Sequence, residues 1–265
     1  MRRGRRRGVY LLPSLLTIGN LLSGVYAVVA VYNDDYTRSA SAILVALILD
    51  GLDGAVARLT NSQSDFGVQL DSLADLVSFG VAPAILSYAW AIKPYTQIGW
   101  LFGSIIPTAL FVSSGAFRLA RFNVQTRSLD KRYFVGLPIP AAAAVVASFV
   151  LFVRESPSLI LFQRELLSHR ITSALMVVIV YACSFLMVSR LRYHSLKGID
   201  LKRRQPFALL IGLTLVVLLI ASEPSMVAFS FFSIYALSGV VRSIPLVKRR
   251  IPEPIEHPAG GEGRT

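Results

Sequence analysis

Apolar residues fill long runs of this chain, and polar residues collect in short islands between them. The runs are about 20 residues long, which is the length that an α-helix needs to cross the hydrocarbon core of a bilayer. The pattern therefore predicts an all-α integral membrane protein with eight transmembrane helices. By residue number, the predicted spans are 13–32, 38–58, 74–92, 98–120, 137–154, 171–190, 205–221 and 224–241.

The order of these runs predicts one transmembrane domain over residues 1–241, because no internal repeat or linker marks a second domain. Its first residues, 1–8, form a basic segment that we expect to contact anionic headgroups in the cytoplasm. Residues 242–265 form a basic tail rich in proline and glycine, which predicts disorder. The half-apolar segment 155–169 is typical of a stretch that lies along the membrane interface.

Composition agrees with a membrane protein, since 54% of the residues are hydrophobic and 16% are charged. The net charge of +12 is explained by its distribution rather than by binding to nucleic acid. With both termini in the cytoplasm, basic residues concentrate on the cytoplasmic side, as the positive-inside rule predicts. The outer loops would keep only Arg38, Lys93, Arg154, Arg164 and Arg170 of the 27 lysines and arginines.

Four carboxylates stand out in the stretch DGLDGAVARLTNSQSDFGVQLDSLAD, which occupies residues 50–75 between two predicted spans. Asp50 and Asp53 lie about one helical turn apart, and Asp71 and Asp75 share a face of the next helix. Acids this close repel one another unless they are protonated or neutralised, and hard divalent cations prefer oxygen ligands. The spacing favours a metal site on the cytoplasmic side, with a solvated interfacial loop or a proton relay as alternatives.

Other residues of the stretch suit a phosphate ligand. Gly54 and Ala57 remove side-chain bulk from one helix face, and Arg58 can hold a phosphate through paired hydrogen bonds. Gly67 permits a turn or a close approach of the backbone to a ligand. Asp75 could contact a metal and also accept a proton from an attacking hydroxyl.

Polar residues elsewhere give weaker signals. Thr17 and Asn20 lie three residues apart in the first span, where hydrogen bonding between helices and a role facing a ligand are both open. Cys183 is the only cysteine, so a disulfide within the chain and a cysteine-based metal site are excluded. The histidines have no spacing that indicates a shared site, and no role is assigned to them.

Written as D-x2-D-G-x2-A-R-x8-G-x3-D-x3-D, the stretch resembles the signature of the CDP-alcohol phosphotransferase family at every fixed position. The resemblance implies a helical membrane enzyme, usually a homodimer, that holds two divalent metal ions, Mg²⁺ or Mn²⁺. It implies metal ligation by Asp50, Asp53, Asp71 and Asp75, with Asp75 also acting as the general base. It implies that the CDP-linked donor contacts Asn20, Gly54, Ala57, Arg58, Ser64 and Gly67.

Within the family, the blocks LLPSLLTIGNLLSG, LDSLADLVSFGVAPA, ARFNV and FVGLPIPAAA resemble the bacterial and archaeal phosphatidylserine synthases. This implies transfer of the phosphatidyl group from CDP-diacylglycerol to the hydroxyl of L-serine in the cytoplasmic membrane of a prokaryote, giving phosphatidylserine and CMP. Ala55 departs from the arginine of many relatives and puts detailed donor contacts in doubt. For the serine carboxylate or the donor phosphates we expect Arg118, Arg121 and Asn123, although ordinary headgroup contacts explain such arginines equally well.

Three alternatives remain open at this point. The first keeps the chemistry and changes the acceptor to glycerol 3-phosphate or inositol phosphate. The second is an intramembrane prenyltransferase, which should repeat its acid motif in a distant helix. The third is a cation transporter, which predicts broken helices in corresponding halves of the chain.

Overall fold

The computed structural model describes residues 11–60, 64–93, 105–125, 133–155, 169–194 and 223–243. Its helices are α1 (Leu11–Tyr32), α2 (Tyr36–Leu59), α3 (Asp65–Ile92), α4 (Ile106–Gln125), α5 (Ile139–Glu155), α6 (His169–Val188) and α7 (Pro224–Ser243). Two short strands, β1 (Tyr133–Val135) and β2 (Arg192–His194), pair antiparallel. The predicted helical membrane bundle is confirmed, and the strand pair is an addition to it.

The number of spans differs from the prediction. Within the described ranges, five helices are long and apolar enough to cross a membrane, namely α1, α2, α3, α6 and α7. The apolar part of α5 is shorter, Ile139–Arg154, and α4 ends in the polar sequence around Arg118 and Arg121, so it is not among the five. The predicted span 205–221 lies outside the described residues, as do the basic segment 1–8, residues 156–168 and the tail beyond Ser243. The count of eight therefore stays a prediction.

Helices α1 and α2 form an antiparallel hairpin joined by a tight turn. Asp35 caps α2, because its side chain accepts a hydrogen bond from the backbone N–H of Arg38 at 3.0 Å. Ser23 on α1 donates to the carbonyl oxygen of Ala42 on α2 at 2.8 Å. The antiparallel arrangement brings the first turns of α1 next to the last turns of α2, which carry Asp50 and Asp53.

Helix α3 is a central helix of the bundle, and five other helices pack against it. Its α-helical start, Asp65–Asp75, is capped by Ser64, whose hydroxyl oxygen accepts from the backbone N–H of Gly67 at 3.0 Å. Two stretches of π-helix follow, Leu76–Val81 and Tyr88–Ile92, separated by the α-helical turn Ala82–Ser87. Between Leu76 and Ile92 most residues of α3 are buried and none is exposed, and this part of α3 contacts α1, α2, α4, α5 and α6.

Helix α5 is the second central element. Every residue from 141 to 150 is buried, as expected for a helix that is apolar on all sides. Its small residues, such as Ala142 and Ala143, let α2, α3, α6 and α7 approach closely. Large apolar side chains instead point outward from the surrounding helices, where acyl chains would cover them; Leu22, Ile48 and Phe185 are more than half exposed.

The strand pair connects two loops at one end of the bundle. Gly136, just after β1, has a φ of +84°, a conformation that side chains other than glycine rarely adopt. Its N–H donates to the carbonyl oxygen of Leu191 at 2.8 Å, and the N–H of Leu137 donates to that of Leu186 at 3.0 Å. The connection between α4 and α5 is thereby tied to the end of α6.

Candidate active site

Three of the predicted acids converge between α2 and α3. One carboxylate oxygen each from Asp50, Asp53 and Asp71 lies within 4.8 Å of the other two. Asp53 is buried, and Asp50 and Asp71 are half-buried. Partly desolvated carboxylates at such distances repel one another strongly, so a compensating positive charge would stabilise the group.

Asp75 lies deeper, beside this group. It is 8% exposed, and its Oδ1 accepts a hydrogen bond from Nδ2 of Asn20 at 3.3 Å. Asp50 and Asp75 are close enough to interact electrostatically. The structure therefore gathers all four predicted acids at one place, although the tight cluster found among the described residues contains three of them and excludes Asp75.

The donor set fits a hard divalent cation. Carboxylate oxygens are the ligands that Mg²⁺ and Mn²⁺ prefer. The Oδ1 atom of Asp71 is buried and has no hydrogen-bond partner among the described residues. A buried acceptor without a donor is costly, and a bound cation would satisfy it. The cluster can hold a metal ion.

Helix α1 contributes two polar side chains to the acids. Oγ1 of Thr17 donates to Oδ2 of Asp53 at 2.9 Å, and Asn20, one turn later, donates to Asp75. Asn20 is fully buried, and its Oδ1 atom has no hydrogen-bond partner among the described residues. Both side chains thus face carboxylates rather than another helix backbone. The sequence left open whether Thr17 bonds to another helix or faces a ligand, and the structure shows that it donates to an acid of the candidate site on α2.

The small residues of α2 leave room beside Arg58. A Cβ atom on Gly54 would sit 3.4 Å from a terminal guanidinium nitrogen of Arg58, which is exposed and interacts electrostatically with Asp53. Ala57 is half-buried on the same helix. An exposed guanidinium group next to an acid cluster is suited to a phosphate ligand.

The loop before α3 has a clear local role. The Ser64 hydroxyl caps α3, and a Cβ on Gly67 would lie 3.1 Å from that oxygen, so glycine keeps the cap uncrowded. Both residues lie near the start of the helix that carries Asp71 and Asp75. Their predicted contacts with the donor stay a prediction.

The three residues predicted to bind serine or phosphate lie on α4 in different environments. Arg118 interacts electrostatically with Asp75, and its Nε atom is buried without a hydrogen-bond partner among the described residues. Asn123 donates to Oγ of Ser72 on α3 at 3.0 Å, which joins the two helices. Arg121 is half-buried, one turn beyond Arg118. Of the three, Arg118 is the one that the structure brings beside the acids.

Tyr235 on α7 is a neighbour of the site that the sequence did not reveal. It is half-buried against the core and interacts electrostatically with Arg118. Phe229, on the same helix, stacks on Phe152 of α5 with ring centroids 5.4 Å apart, which fixes α7 against the bundle. No sequence signal indicated Tyr235, because it is one of several aromatic residues in an apolar run.

Comparison with known proteins assigns the fold and the site to a family. The model of the CDP-alcohol phosphatidyltransferase family matches residues 10–180 of the chain. The chain belongs to this family. The match covers α1 to α5 and more than half of α6, including all four acids, whereas Tyr235 and the rest of α7 lie beyond it. CDP-alcohol phosphatidyltransferases are membrane-embedded and generally metal-dependent, in agreement with the apolar helices and the acid cluster.

Individual CDP-alcohol phosphatidyltransferases match most of the chain. The CDP-diacylglycerol–serine O-phosphatidyltransferase of Helicobacter pylori strain J99 is 36% identical over 245 residues, which cover 92% of this chain and 95% of the relative. The enzyme of that name from Bacillus subtilis is 31% identical over 70% of this chain and 91% of its own. The archaetidylserine synthase of Methanothermobacter thermautotrophicus is 38% identical over 71% of each chain.

Membership of the CDP-alcohol phosphatidyltransferase family bears on the reaction classes that the sequence left open. It supports group transfer from a CDP-linked donor over the prenyltransferase and the transporter. The chain is an integral membrane protein with a cluster of acids that can hold a metal ion.

Proposed function

We propose that the protein transfers the phosphatidyl group of CDP-diacylglycerol to the hydroxyl of L-serine, giving phosphatidylserine and CMP. The convergence of Asp50, Asp53 and Asp71 carries the proposal, because it provides the charge arrangement that transfer from a diphosphate requires. The choice of serine is supported by relatives named for serine transfer, one of which matches 92% of the chain.

Two divalent ions, Mg²⁺ or Mn²⁺, belong to the proposed site. Asp50, Asp53, Asp71 and Asp75 would hold these ions. Bound ions supply neutralisation of the diphosphate and of the charge that develops on the departing CMP. Two observations support this assignment: Oδ1 of Asp71 has no hydrogen-bond partner among the described residues, and the three clustered acids lie close together.

The residues around the acids have the following proposed tasks. Asp75 removes the proton of the serine hydroxyl as the serine oxygen bonds to the phosphorus that bears diacylglycerol. The bond from that phosphorus to the oxygen of CMP breaks, and CMP leaves with the bonding electrons. Asn20 orients the Asp75 carboxyl through its amide, a task supported by the 3.3 Å hydrogen bond, and also borders the donor.

The donor and the acceptor would occupy opposite sides of the acid cluster. Gly54, Ala57 and Gly67 leave space for the CDP group, and Arg58 and the Ser64 hydroxyl bind it. On the other side, Arg118 would hold the serine carboxylate. Its location near Asp75 supports this, as does its Nε atom, which has no hydrogen-bond partner in the described part of the chain. Arg121 and Asn123 complete this basic side in the proposal.

The remaining features concern the whole molecule. We propose a homodimer in the cytoplasmic membrane of a prokaryote, with the active site and both termini in the cytoplasm. Residues 1–241 form the catalytic domain, and residues 242–265 form a tail outside it. The excess of lysine and arginine on the proposed cytoplasmic side supports this orientation.

The decisive experiment measures CMP release by the purified protein with CDP-diacylglycerol, Mg²⁺ or Mn²⁺, and one alcohol at a time. Serine-dependent release with phosphatidylserine as the lipid product is the expected result. Release only with glycerol 3-phosphate or inositol phosphate would overturn the acceptor and keep the reaction class.

Three variants test the assignment of the acids. Asp71→Asn and Asp75→Asn should each abolish turnover in folded protein. Asp65→Asn is the matched control, because Asp65 is an exposed acid in the first turn of α3 outside the cluster. It should retain near-normal activity. Normal turnover by Asp75→Asn would refute its role as the base.

A further inference from the structure

A buried hydrogen bond joins the first helix of the chain to one of the clustered acids. Thr17 is 6% exposed and Asp53 is 5% exposed, and Oγ1 of Thr17 donates to Oδ2 of Asp53 at 2.9 Å. The two residues are 36 positions apart, and Thr17 is not part of the acid-rich stretch 50–75. The contact therefore reaches the site from a different helix.

The threonine is well suited to fix the direction of the carboxylate. Threonine is β-branched, which confines its side chain in a helix to two main rotamers, and in the one adopted here the hydroxyl group points at Asp53. An ionised carboxylate offers about four acceptor positions on its two oxygens. A hydrogen bond to Oδ2 therefore leaves Asp53 with positions free for a cation.

Packing between α1 and α3 fixes the position of Thr17 along the axis of α2. The Ser78 hydroxyl on α3 donates to the backbone carbonyl of Asn20 at 2.9 Å, and Gly24 lets the two helices touch there. Thr17 lies one turn before Asn20 on the same helix. The donor is thereby held at a fixed position relative to α3, which carries the other half of the acid cluster.

Hydrogen bonds to the ligands of a metal commonly set the orientation and affinity of the site. Removing such a partner typically lowers metal affinity or activity about 10- to 100-fold. Asp53 belongs to the group of acids within 4.8 Å of one another, and Thr17 donates to its Oδ2 atom.

We infer that Thr17 is a positioning residue that orients the carboxylate of Asp53 for cation binding. The inference rests on the proposed function, since it assigns Asp53 as a metal ligand. It adds a determinant of the site that lies outside the acid-rich stretch. A threonine that only joined α1 to α2 would instead contribute to stability without affecting metal affinity.

The test measures binding of Mn²⁺ alone to the purified full-length protein, by the electron paramagnetic resonance signal of the free ion. Thr17→Val and Thr17→Ala, which both remove the donor, should raise the Kd for Mn²⁺ about 10- to 100-fold. Thr17→Ser keeps the donor and should restore most of the affinity. In the enzymatic assay, Thr17→Val should raise the Mn²⁺ concentration needed for half-maximal rate more than it lowers kcat.

Ser23→Ala is the matched control. Ser23 also links α1 to α2, through a hydrogen bond to the backbone carbonyl oxygen of Ala42 rather than to an acid. Its removal should leave the Kd for Mn²⁺ unchanged. Equal weakening by Thr17→Val and Ser23→Ala, or unchanged affinity in both Thr17→Val and Thr17→Ala, would overturn the inference.

The outcomes separate this inference from the proposed function. If the wild type binds Mn²⁺ and Thr17→Val weakens binding, the positioning role stands even if serine is not the acceptor. If the wild-type protein is folded and binds no Mn²⁺, the positioning role and the proposed metal site both fail. Release of CMP with serine while Thr17→Val binds Mn²⁺ normally would support the function and refute the positioning role.

Discussion

The close backbone contact between α1 and α3 gives a direct test of how these two helices pack beside the acids. Gly24 on α1 packs against Ser78 on α3, and a Cβ atom at Gly24 would lie 2.7 Å from Cα of Ser78. Ordinary contacts between carbon atoms are about 3.5–4.0 Å long, so Gly24→Ala must move α1 away from α3 by roughly 1 Å. The obstructing atom belongs to the backbone, and no side-chain rotation can relieve the clash.

The expected cost follows from overpacking, which typically destabilises a protein by about 1–3 kcal/mol. Replacing glycine by alanine in a helix also adds stability of about 1 kcal/mol, which partly hides the cost. Gly19→Ala cancels this term, because it lies on the same helix and its new Cβ would be 3.5 Å from Cδ1 of Leu49, an ordinary contact. The difference between the two variants should therefore be about 1–3 kcal/mol.

The chain contains a reporter for this measurement. Cys183 is the only cysteine and is 3% exposed, so a thiol-reactive fluorophore will label it only after unfolding. At roughly 2–4 °C per kcal/mol for a chain near this size, Gly24→Ala should unfold about 2–12 °C below Gly19→Ala. It should also bind Mn²⁺ less tightly, because a shift of α1 stretches the hydrogen bonds from Thr17 and Asn20 to the acids.

Equal unfolding temperatures and equal Mn²⁺ affinities for Gly24→Ala and Gly19→Ala would refute the close approach of α1 to α3. Lower stability with unchanged Mn²⁺ affinity would keep the contact and refute its link to the acids. Both measurements use the same detergent preparation, so differences in solubilisation do not affect the comparison.

Three further predictions concern other parts of the molecule. Gly136→Ala should lower the free energy of unfolding by about 1–2 kcal/mol or more, because φ is +84° and the new Cβ would meet the carbonyl oxygen of Met187. Gly51→Ala, with open space around it, should not destabilise the protein in the same thermal assay. Arg58→Lys should raise KM for CDP-diacylglycerol roughly tenfold or more in the CMP assay, since lysine lacks the paired donors. A chelator should abolish CMP release, and Mn²⁺ at about 100 times its Kd should restore release and stabilise the fold by about 2.7 kcal/mol.

Helix periodicity was sufficient to predict the acid-bearing elements. The spacing of Asp50 and Asp53, and of Asp71 and Asp75, placed each pair on one helical face, and α2 and α3 carry them so. Local spacing has this power because i, i+3 and i+4 neighbours meet on any helix. The start of α3 at Asp65 was harder to predict, since the predicted span began at 74 and the first turns of α3 are largely exposed and mix polar with apolar residues.

Contacts between distant segments could not be predicted in the same way. The pairing of Thr17 with Asp53 depends on the axial position of α1 relative to α2. This position cannot be predicted from the sequence of either helix alone. The placement of Tyr235 depends on how α7 packs against α5. The strands β1 and β2 are three residues each and two helices apart, too short for an alternating pattern to indicate them.

The two π-helical stretches of α3 have a consequence for how tolerance to mutation should vary along this helix. A π-helix bonds residue i to i+5 rather than i+4, so each stretch rotates the following side chains relative to those before it. The face that presents Asp71 and Asp75 is therefore out of phase with the face that packs at Leu86 and Trp90. In a complete substitution scan of 65–92, sensitivity should follow one periodic phase up to Asp75 and a shifted phase after Val81. Substitutions in the buried part of α3 can therefore change its packing contacts while the positions of Asp71 and Asp75 stay the same.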